Sequence, residues 1–166
     1  MMTNNLNIFY RAVLITIICF TSTKAIANSD DSITNENCNS TCQFSLIENY
    51  FELLNKVGKQ GSDVNDIDNL LAVMHDDIKY IHVRFNADFN KNTWRSAFIR
   101  NLNRGFYTKS ANEEIRILKS IAGHDHYAVE YSHGKKNEIG EWVLDDGQLV
   151  VFGFTDGKIS LIKELW

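Results

Sequence analysis

The sequence predicts an α+β fold in which N-terminal helices pack on one face of a strongly curved antiparallel sheet. Apolar residues recur at helical spacing mainly before residue 104, whereas the rest of the chain alternates like β-strands separated by turn residues. The length of 166 residues is typical of a single domain. Because the helices come first and short turns join the later strands, we expect the helices to cover the sheet and leave a conical cavity.

The first 27 residues have the pattern of a secretion signal. Arg11 precedes an apolar run over residues 12–20, and Ala25-Ile26-Ala27 has the A-x-A form of a cleavage site. The run is shorter than the roughly 20 residues that a membrane-spanning helix needs. We therefore predict cleavage after Ala27, a secreted or periplasmic location, and no membrane span in the mature chain.

The charge of the predicted mature chain argues against nucleic-acid binding. Removing Arg11 and Lys24 with the signal lowers the count of basic residues from 17 to 15, against 21 acidic residues, so the net charge is −6. No basic stripe of the kind that binds phosphate backbones remains. His124 and His126 flank a turn without the spacing of a fixed metal cage, so we predict no metal site and no cofactor.

Residues 28–40 are polar and acidic without periodicity, which predicts a disordered leader before a domain over residues 41–166. Two cysteines, Cys38 and Cys42, survive the predicted cleavage. Export to an oxidising compartment favours a local disulfide between them. Free or intermolecular thiols and a metal-binding pair are the alternatives.

Three helices are expected from apolar spacing and capping residues. The first covers residues 41–57, with Ser40 and Gln43 as a capping box, and the second covers residues 64–75 after Asp63. The third covers residues 93–103, with Asn92 as its cap.

Strands account for most of the remaining chain. A strand over residues 78–83 places Ile78, Tyr80 and His82 on one face. Later strands are predicted over residues 114–121, 126–132 and 141–154, the last of them interrupted by Asp145-Asp146-Gly147. Asp156-Gly157 indicates a hairpin leading into a final strand that runs to the C-terminus.

Taken in order, these elements resemble the nuclear transport factor 2-like superfamily, and within it the SnoaL-like and ketosteroid-isomerase-like proteins. The resemblance covers residues 43–166 and is carried by the stretches ENYFELLNK, DIDNLLAVMHDDIKYI and VVFGFTDGKISLIKELW and by the helix of Trp94. It implies a cone-shaped, cystatin-like barrel. It also implies a homodimer formed through the outer sheet face, where Ile81 and Val83 would lie.

The resemblance suggests candidate catalytic residues. In ketosteroid isomerases an Asp base moves a proton, while a Tyr and a protonated Asp hold the developing oxyanion. Tyr50 matches the family's Tyr, His82 falls at the position of the basic Asp, and Val150 falls at that of the second Asp. This departure argues against steroid isomerisation. It leaves His82 as a candidate general base and Tyr50 as a candidate hydrogen-bond donor.

The resemblance does not decide the function, because this fold serves several activities. We expect the cone to bind a small, partly apolar molecule against Tyr80, Trp94, Phe152 and Phe154, without chemistry of its own. The alternative is an isomerase, cyclase or hydrolase that uses His82 and Tyr50. A third interpretation is a structural module whose cone is filled with side chains, and the volume of the cavity separates it from the other two.

Overall fold

The structure, a computed structural model, describes residues 38–166. The predicted secretion signal, and the predicted leader up to residue 37, lie outside the described residues. Among the residues described, no helix is both long enough and apolar enough to span a membrane.

The helices are α1 (Ser40–Gly58), α2 (Val64–Ala72) and α3 (Lys91–Asn103). Two caps differ from the predicted ones. Asn39 caps α1 by accepting a hydrogen bond from the backbone N–H of Cys42 at 3.0 Å, so Ser40 is the first helical residue. Asn90 caps α3 and forms a capping box with Thr93, two residues before the predicted cap. In both places neighbouring polar residues have similar capping strength, so the sequence alone does not choose between them.

The start of α1 carries a disulfide. Cys38 and Cys42 are joined, with 2.06 Å between the two sulfur atoms. Cys38 precedes the cap and Cys42 lies in the first helical turn, so the bond ties residue 38 to the helix. The amide of Gln43 adds a hydrogen bond to the carbonyl oxygen of Cys38 at 3.1 Å.

The described residues form seven strands, two between α2 and α3 and five after α3. Their bounds are β1 (Met74–His82), β2 (Ala87–Phe89), β3 (Glu113–Ala122), β4 (His126–Lys136), β5 (Trp142–Leu144), β6 (Gln148–Thr155) and β7 (Lys158–Glu164). They form one sheet in the order β2-β1-β7-β6-β4-β3, with β5 paired to β4. The fold is therefore α+β, as predicted. The sheet is not closed, because β2 and β3 lie at its two edges.

The sheet is mixed rather than wholly antiparallel, which corrects the prediction. All of its pairings are antiparallel except that of β1 with β7, which is parallel. A parallel pair needs a long crossover, and here the chain passes through α3 and the meander before β7 returns beside β1. The register of this pair brings His82 opposite Glu164 and Tyr80 opposite Ile162.

The first strand begins earlier than predicted, at Met74 instead of residue 78. Helix α2 ends at Ala72, so residues 74 and 75 belong to β1 and not to the helix. Asp76, in the extended segment, pairs with Lys91 of α3 at 2.8 Å. The short strand β2 follows β1 and was not predicted from the sequence.

The turn between β6 and β7 is the predicted two-residue hairpin. Thr155 pairs with Lys158, and Asp156 and Gly157 between them have φ angles of 52° and 67°. Two successive positive φ angles are the mark of a type I′ turn, whose twist matches that of the flanking strands. The length of this turn fixes the pairing of β7 with β6 and so determines which residues of β7 face the helices.

Candidate functional site

A cavity of about 410 Å³ lies between α1, α3 and the covered face of the sheet. Helix α1 contributes Tyr50, strand β1 contributes Tyr80 and His82, and helix α3 contributes Trp94. Tyr80 and His82 are two residues apart on one strand, so their side chains lie on the same face of the sheet, the face that the helices cover. Four of the six residues predicted for the site are thus brought together at one cavity.

Phe152 and Phe154 do not line this cavity, which corrects the prediction that they form its wall. Phe152 is fully buried, with its ring 5.4 Å from that of Tyr50 and 5.9 Å from that of Phe51. A register shift separates Phe154 from Gly153, and the ring of Phe154 packs 6.4 Å from that of Tyr127. Phe152 therefore belongs to the core and Phe154 packs against it. Apart from β1, the sheet residues that line the cavity are Ile115 of β3, Tyr131 and His133 of β4 and Glu164 of β7.

His82 is buried, with 5% of its surface exposed. Its ring lies 4.4 Å from the rings of both Phe85 and Trp166. Neither ring nitrogen has a hydrogen-bond partner among the described residues. Burial is the main cause that lowers the pKa of His82 below its ordinary value, and the charge of Arg84 acts in the same direction. The imidazole is therefore neutral at neutral pH, with one donor and one acceptor unused.

Glu164 lines the cavity but was not predicted from the sequence. The residue is 5% exposed, and its carboxyl accepts two hydrogen bonds at one oxygen, Oε2. The Tyr131 hydroxyl and the Trp166 indole N–H each donate to Oε2 at 2.9 Å. Burial raises the pKa of Glu164 above its ordinary value, and the two hydrogen bonds partly oppose this. Strand alternation could have indicated its position, because Glu164 is two residues after the buried Ile162 on β7 and therefore lies on the same face of the sheet.

The two tyrosines of the predicted site are neutral hydrogen-bonding groups. Burial raises the pKa of Tyr50 well above its ordinary value, and the nearby charge of Glu164 raises it further. The same two causes, in the same order, raise the pKa of Tyr80. The ring of Tyr80 stacks on that of Trp94 with 4.2 Å between centroids, which gives the cavity a flat aromatic wall.

A second polar group lines the same cavity, formed by Lys109 and His133. The Lys109 Nζ lies 3.1 Å from the His133 Nδ1. Lys109 follows α3, and His133 lies on β4 with its side chain on the same face as that of Tyr131. Within residues 38–166, no three His, Cys, Asp or Glu side chains are placed to share a metal ion.

Comparisons with known proteins identify the fold. No protein-family model matches the sequence, and no curated protein matches it. Solved structures do match, and the three named here each match over 75% of this chain. They include TerC co-crystallised with polyporic acid (12% identity, 91% of that chain, TM-score 0.53), a nuclear transport factor 2-like protein of unknown function from Burkholderia pseudomallei (13%, 90%, 0.51) and an LEH-like epoxide hydrolase from M. tuberculosis (17%, 81%, 0.51). The described chain has the nuclear transport factor 2-like fold.

Proposed function

We propose that the protein binds a small, partly apolar molecule in the 410 Å³ cavity, with His82 as a hydrogen-bonding contact. The observation that carries this proposal is the pair of unpartnered ring nitrogens of His82. Each buried polar atom without a partner costs about 1–3 kcal/mol. A ligand that displaced the exposed Phe85 ring, whose centroid lies 4.4 Å from that of His82, would give one of these nitrogens a partner and recover part of this cost.

The walls of the cavity match such a ligand. The stacked rings of Tyr80 and Trp94 continue to Phe98, whose centroid lies 5.4 Å from that of Trp94. The volume falls in the range of about 300–1,000 Å³ that is typical of small-molecule sites. It also argues against the third interpretation, because a cone filled with its own side chains would not leave this space.

The replacement of His82 with phenylalanine tests the proposal. Phenylalanine keeps an aromatic ring against Phe85 and Trp166 but removes both unpartnered nitrogens. We expect the melting temperature to stay the same or rise, while native mass spectrometry of protein purified from its source shows loss of a ligand that the wild type retains. Retention of the same ligand by His82→Phe would contradict the role of His82.

A packing role for His82 would give the reverse pattern. In that case His82→Ala would lower the free energy of unfolding by about 2 kcal/mol or more, the usual range for large-to-small core changes. Ligand retention would then fall only as far as the stability does. Comparing His82→Phe with His82→Ala in one experiment therefore separates contact with a ligand from packing.

A second candidate function is proton transfer, and Glu164 favours it. A buried carboxyl with a raised pKa, in a cavity with a neutral imidazole and a neutral phenol, is an arrangement suited to general acid–base catalysis. We propose Glu164 as the group that carries the proton. His82 then serves as an additional base and Tyr50 as a hydrogen-bond donor in an isomerase, cyclase or hydrolase.

We propose that the protein is exported, because its sequence has an apolar run followed by Ala25-Ile26-Ala27.

We also propose a homodimer formed through the outer sheet face. A row of cross-strand neighbours on that face contains Ile81, Val151, Ala128 and Ile121, interrupted by Lys163. Val83, just after β1, is 53% exposed.

The dimer is tested by placing a charge in the outer row. We expect Ile81→Asp to convert a dimer into a monomer, because the interface would have to bury an added carboxylate beside Lys163, and the desolvation of even a paired charge is costly. Light scattering on the purified mature protein measures the mass. Ile139→Asp is a matched control, since Ile139 is 77% exposed and lies outside the strands. A monomeric wild type at high protein concentration, or a dimer that survives Ile81→Asp, would rule out this interface.

A further inference from the structure

Lys109 is a positioned lysine in the cavity wall. Its backbone N–H donates to the carbonyl oxygen of Gly58, and its carbonyl oxygen accepts from the N–H of Gln60, at 3.1 and 3.0 Å. A Cβ atom at Gly58 would lie 3.3 Å from the Cδ of Lys109. The glycine at the end of α1 therefore leaves room for the lysine stem, and the chain beyond α1 holds its backbone.

No carboxylate oxygen of the described residues lies within salt-bridge distance of the Lys109 ammonium, in contrast to three other lysines. Lys56, Lys91 and Lys119 each contact a carboxylate oxygen, at 2.8, 2.8 and 3.2 Å. The close neighbour of Lys109 is the His133 ring instead. An ammonium cannot accept a hydrogen bond, so the His133 Nδ1 must accept and the ring proton must lie on Nε2. The pair thus keeps further N–H donors and a positive charge.

We infer that the cavity ligand is a monocarboxylate, whose acid group is bound by Lys109 and His133 and whose apolar body lies against the aromatic wall. This inference rests on the proposed function, because it names the chemistry of the same ligand. A carboxylate would supply the countercharge and the acceptor atoms that the two side chains lack. Burial lowers the pKa of Lys109, as expected for an ammonium that has lost solvent without gaining a close anion.

The nearby acids limit the ligand to a single negative charge. Glu113 and Asp145 line a smaller adjoining pocket with Lys109 and His133. Burial lowers the pKa of both Lys109 and His133, and the charge of Lys109 lowers that of His133 further. The charge of Glu113 partly opposes the shift at Lys109, and that of Asp145 partly opposes the shift at His133. The Oε2 of Glu113 is already bound to the Ser110 N–H at 2.8 Å. A phosphate dianion would bring two negative charges against one ammonium beside these acids, whereas a carboxylate brings one.

The experiment compares two probes of nearly the same shape, 2-naphthoate and the neutral 2-naphthamide. We expect the wild-type protein at neutral pH to bind 2-naphthoate about tenfold more tightly than 2-naphthamide, because only the carboxylate forms a charge-assisted hydrogen bond with the Lys109 ammonium. Lys109→Met keeps the stem and removes the charge, so it should abolish this preference. Lys135→Met is the matched control, because Lys135 lines the adjoining pocket and not the cavity.

Calorimetric titration of both probes distinguishes the outcomes. Equal binding of the two probes by the wild type, or a preference that persists in Lys109→Met, would overturn the carboxylate inference while leaving the cavity as a binding site. Failure of the wild type to bind either probe counts against both proposals. Lys109→Gln serves if Lys109→Met does not fold. The comparison of the two probes on the wild type alone can also refute the inference, without any variant.

Discussion

Replacing Phe152 with alanine is expected to lower the free energy of unfolding by about 3–5 kcal/mol, the usual range for a fully buried aromatic ring. Phe152 has no exposed surface and packs against the rings of Tyr50 and Phe51. Its strand neighbours are Tyr127 on β4 and Ile162 on β7, so the ring fills the space between α1 and the centre of the sheet. Removing it would leave a cavity that this well-connected region cannot easily close.

Phe154→Ala is the matched control for this prediction. Phe154 is the next residue of the same type on β6 but is only partly buried, beyond the register shift. Its truncation should cost clearly less, because less apolar surface is lost from the interior. Urea unfolding of the two variants and the wild type gives the comparison. If Phe152→Ala were no more costly than Phe154→Ala, the assignment of Phe152 to the core would be wrong.

Replacing Glu164 with glutamine is expected to stabilise the protein at neutral and alkaline pH. The folded-state pKa of Glu164 is raised, mainly by burial, above the unfolded value of about 4.3. The contribution of this group to stability is therefore fully present below about pH 4.3 and is lost as the pH rises through the folded pKa. Glutamine stays neutral at every pH. Its oxygen can still accept from Tyr131 and Trp166.

The advantage of Glu164→Gln over the wild type should therefore grow as the pH rises. It should increase by about 1.4 kcal/mol for each unit by which folding raises the pKa, and then level off. Urea unfolding at a series of pH values measures the difference. Glu130→Gln serves as the control for the loss of one carboxyl, since Glu130 lies on β4 and pairs with the exposed Lys119. An advantage that shrank with rising pH would refute the assignment of a raised pKa.

Glu164→Gln also tests the proposal that Glu164 transfers a proton in a reaction. If Glu164 carries the proton in a reaction, Glu164→Gln abolishes turnover of any substrate identified by ligand retention, while binding of that ligand persists. If the site only binds, the ligand is recovered unchanged from both proteins. Ligand recovery therefore separates the two functions proposed for the cavity.

Local patterns were sufficient to predict much of this fold. The helices and most strands follow from apolar periodicity, and the Asp156-Gly157 turn follows from the backbone preferences of its two residues. Tyr80 and His82 reach the cavity because strand alternation fixes their common face. These features depend on residues that are close together in the sequence, so they can be predicted without knowledge of the rest of the structure.

Long-range contacts explain what could not be predicted. The parallel pairing of β1 with β7 joins segments that no local pattern connects, and it brings Glu164 beside His82. Phe152 was expected at the cavity because its strand face is correct. However, residues on the same face of a sheet can lie under different helices, and Phe152 lies beneath Tyr50. Lys109 had no sequence signal, since its place depends on backbone contacts with the end of α1.

The parallel pairing also has a consequence for folding kinetics. Strand pairs such as β3–β4 and β6–β7 are joined by short turns and close quickly, whereas β1 must find β7 across most of the domain. The polar part of the cavity is complete only after that slow step, since His82 comes from one of these strands and Glu164 from the other. The appearance of ligand-binding capacity during refolding should therefore lag behind the formation of the meander, and its rate would report the docking of β1.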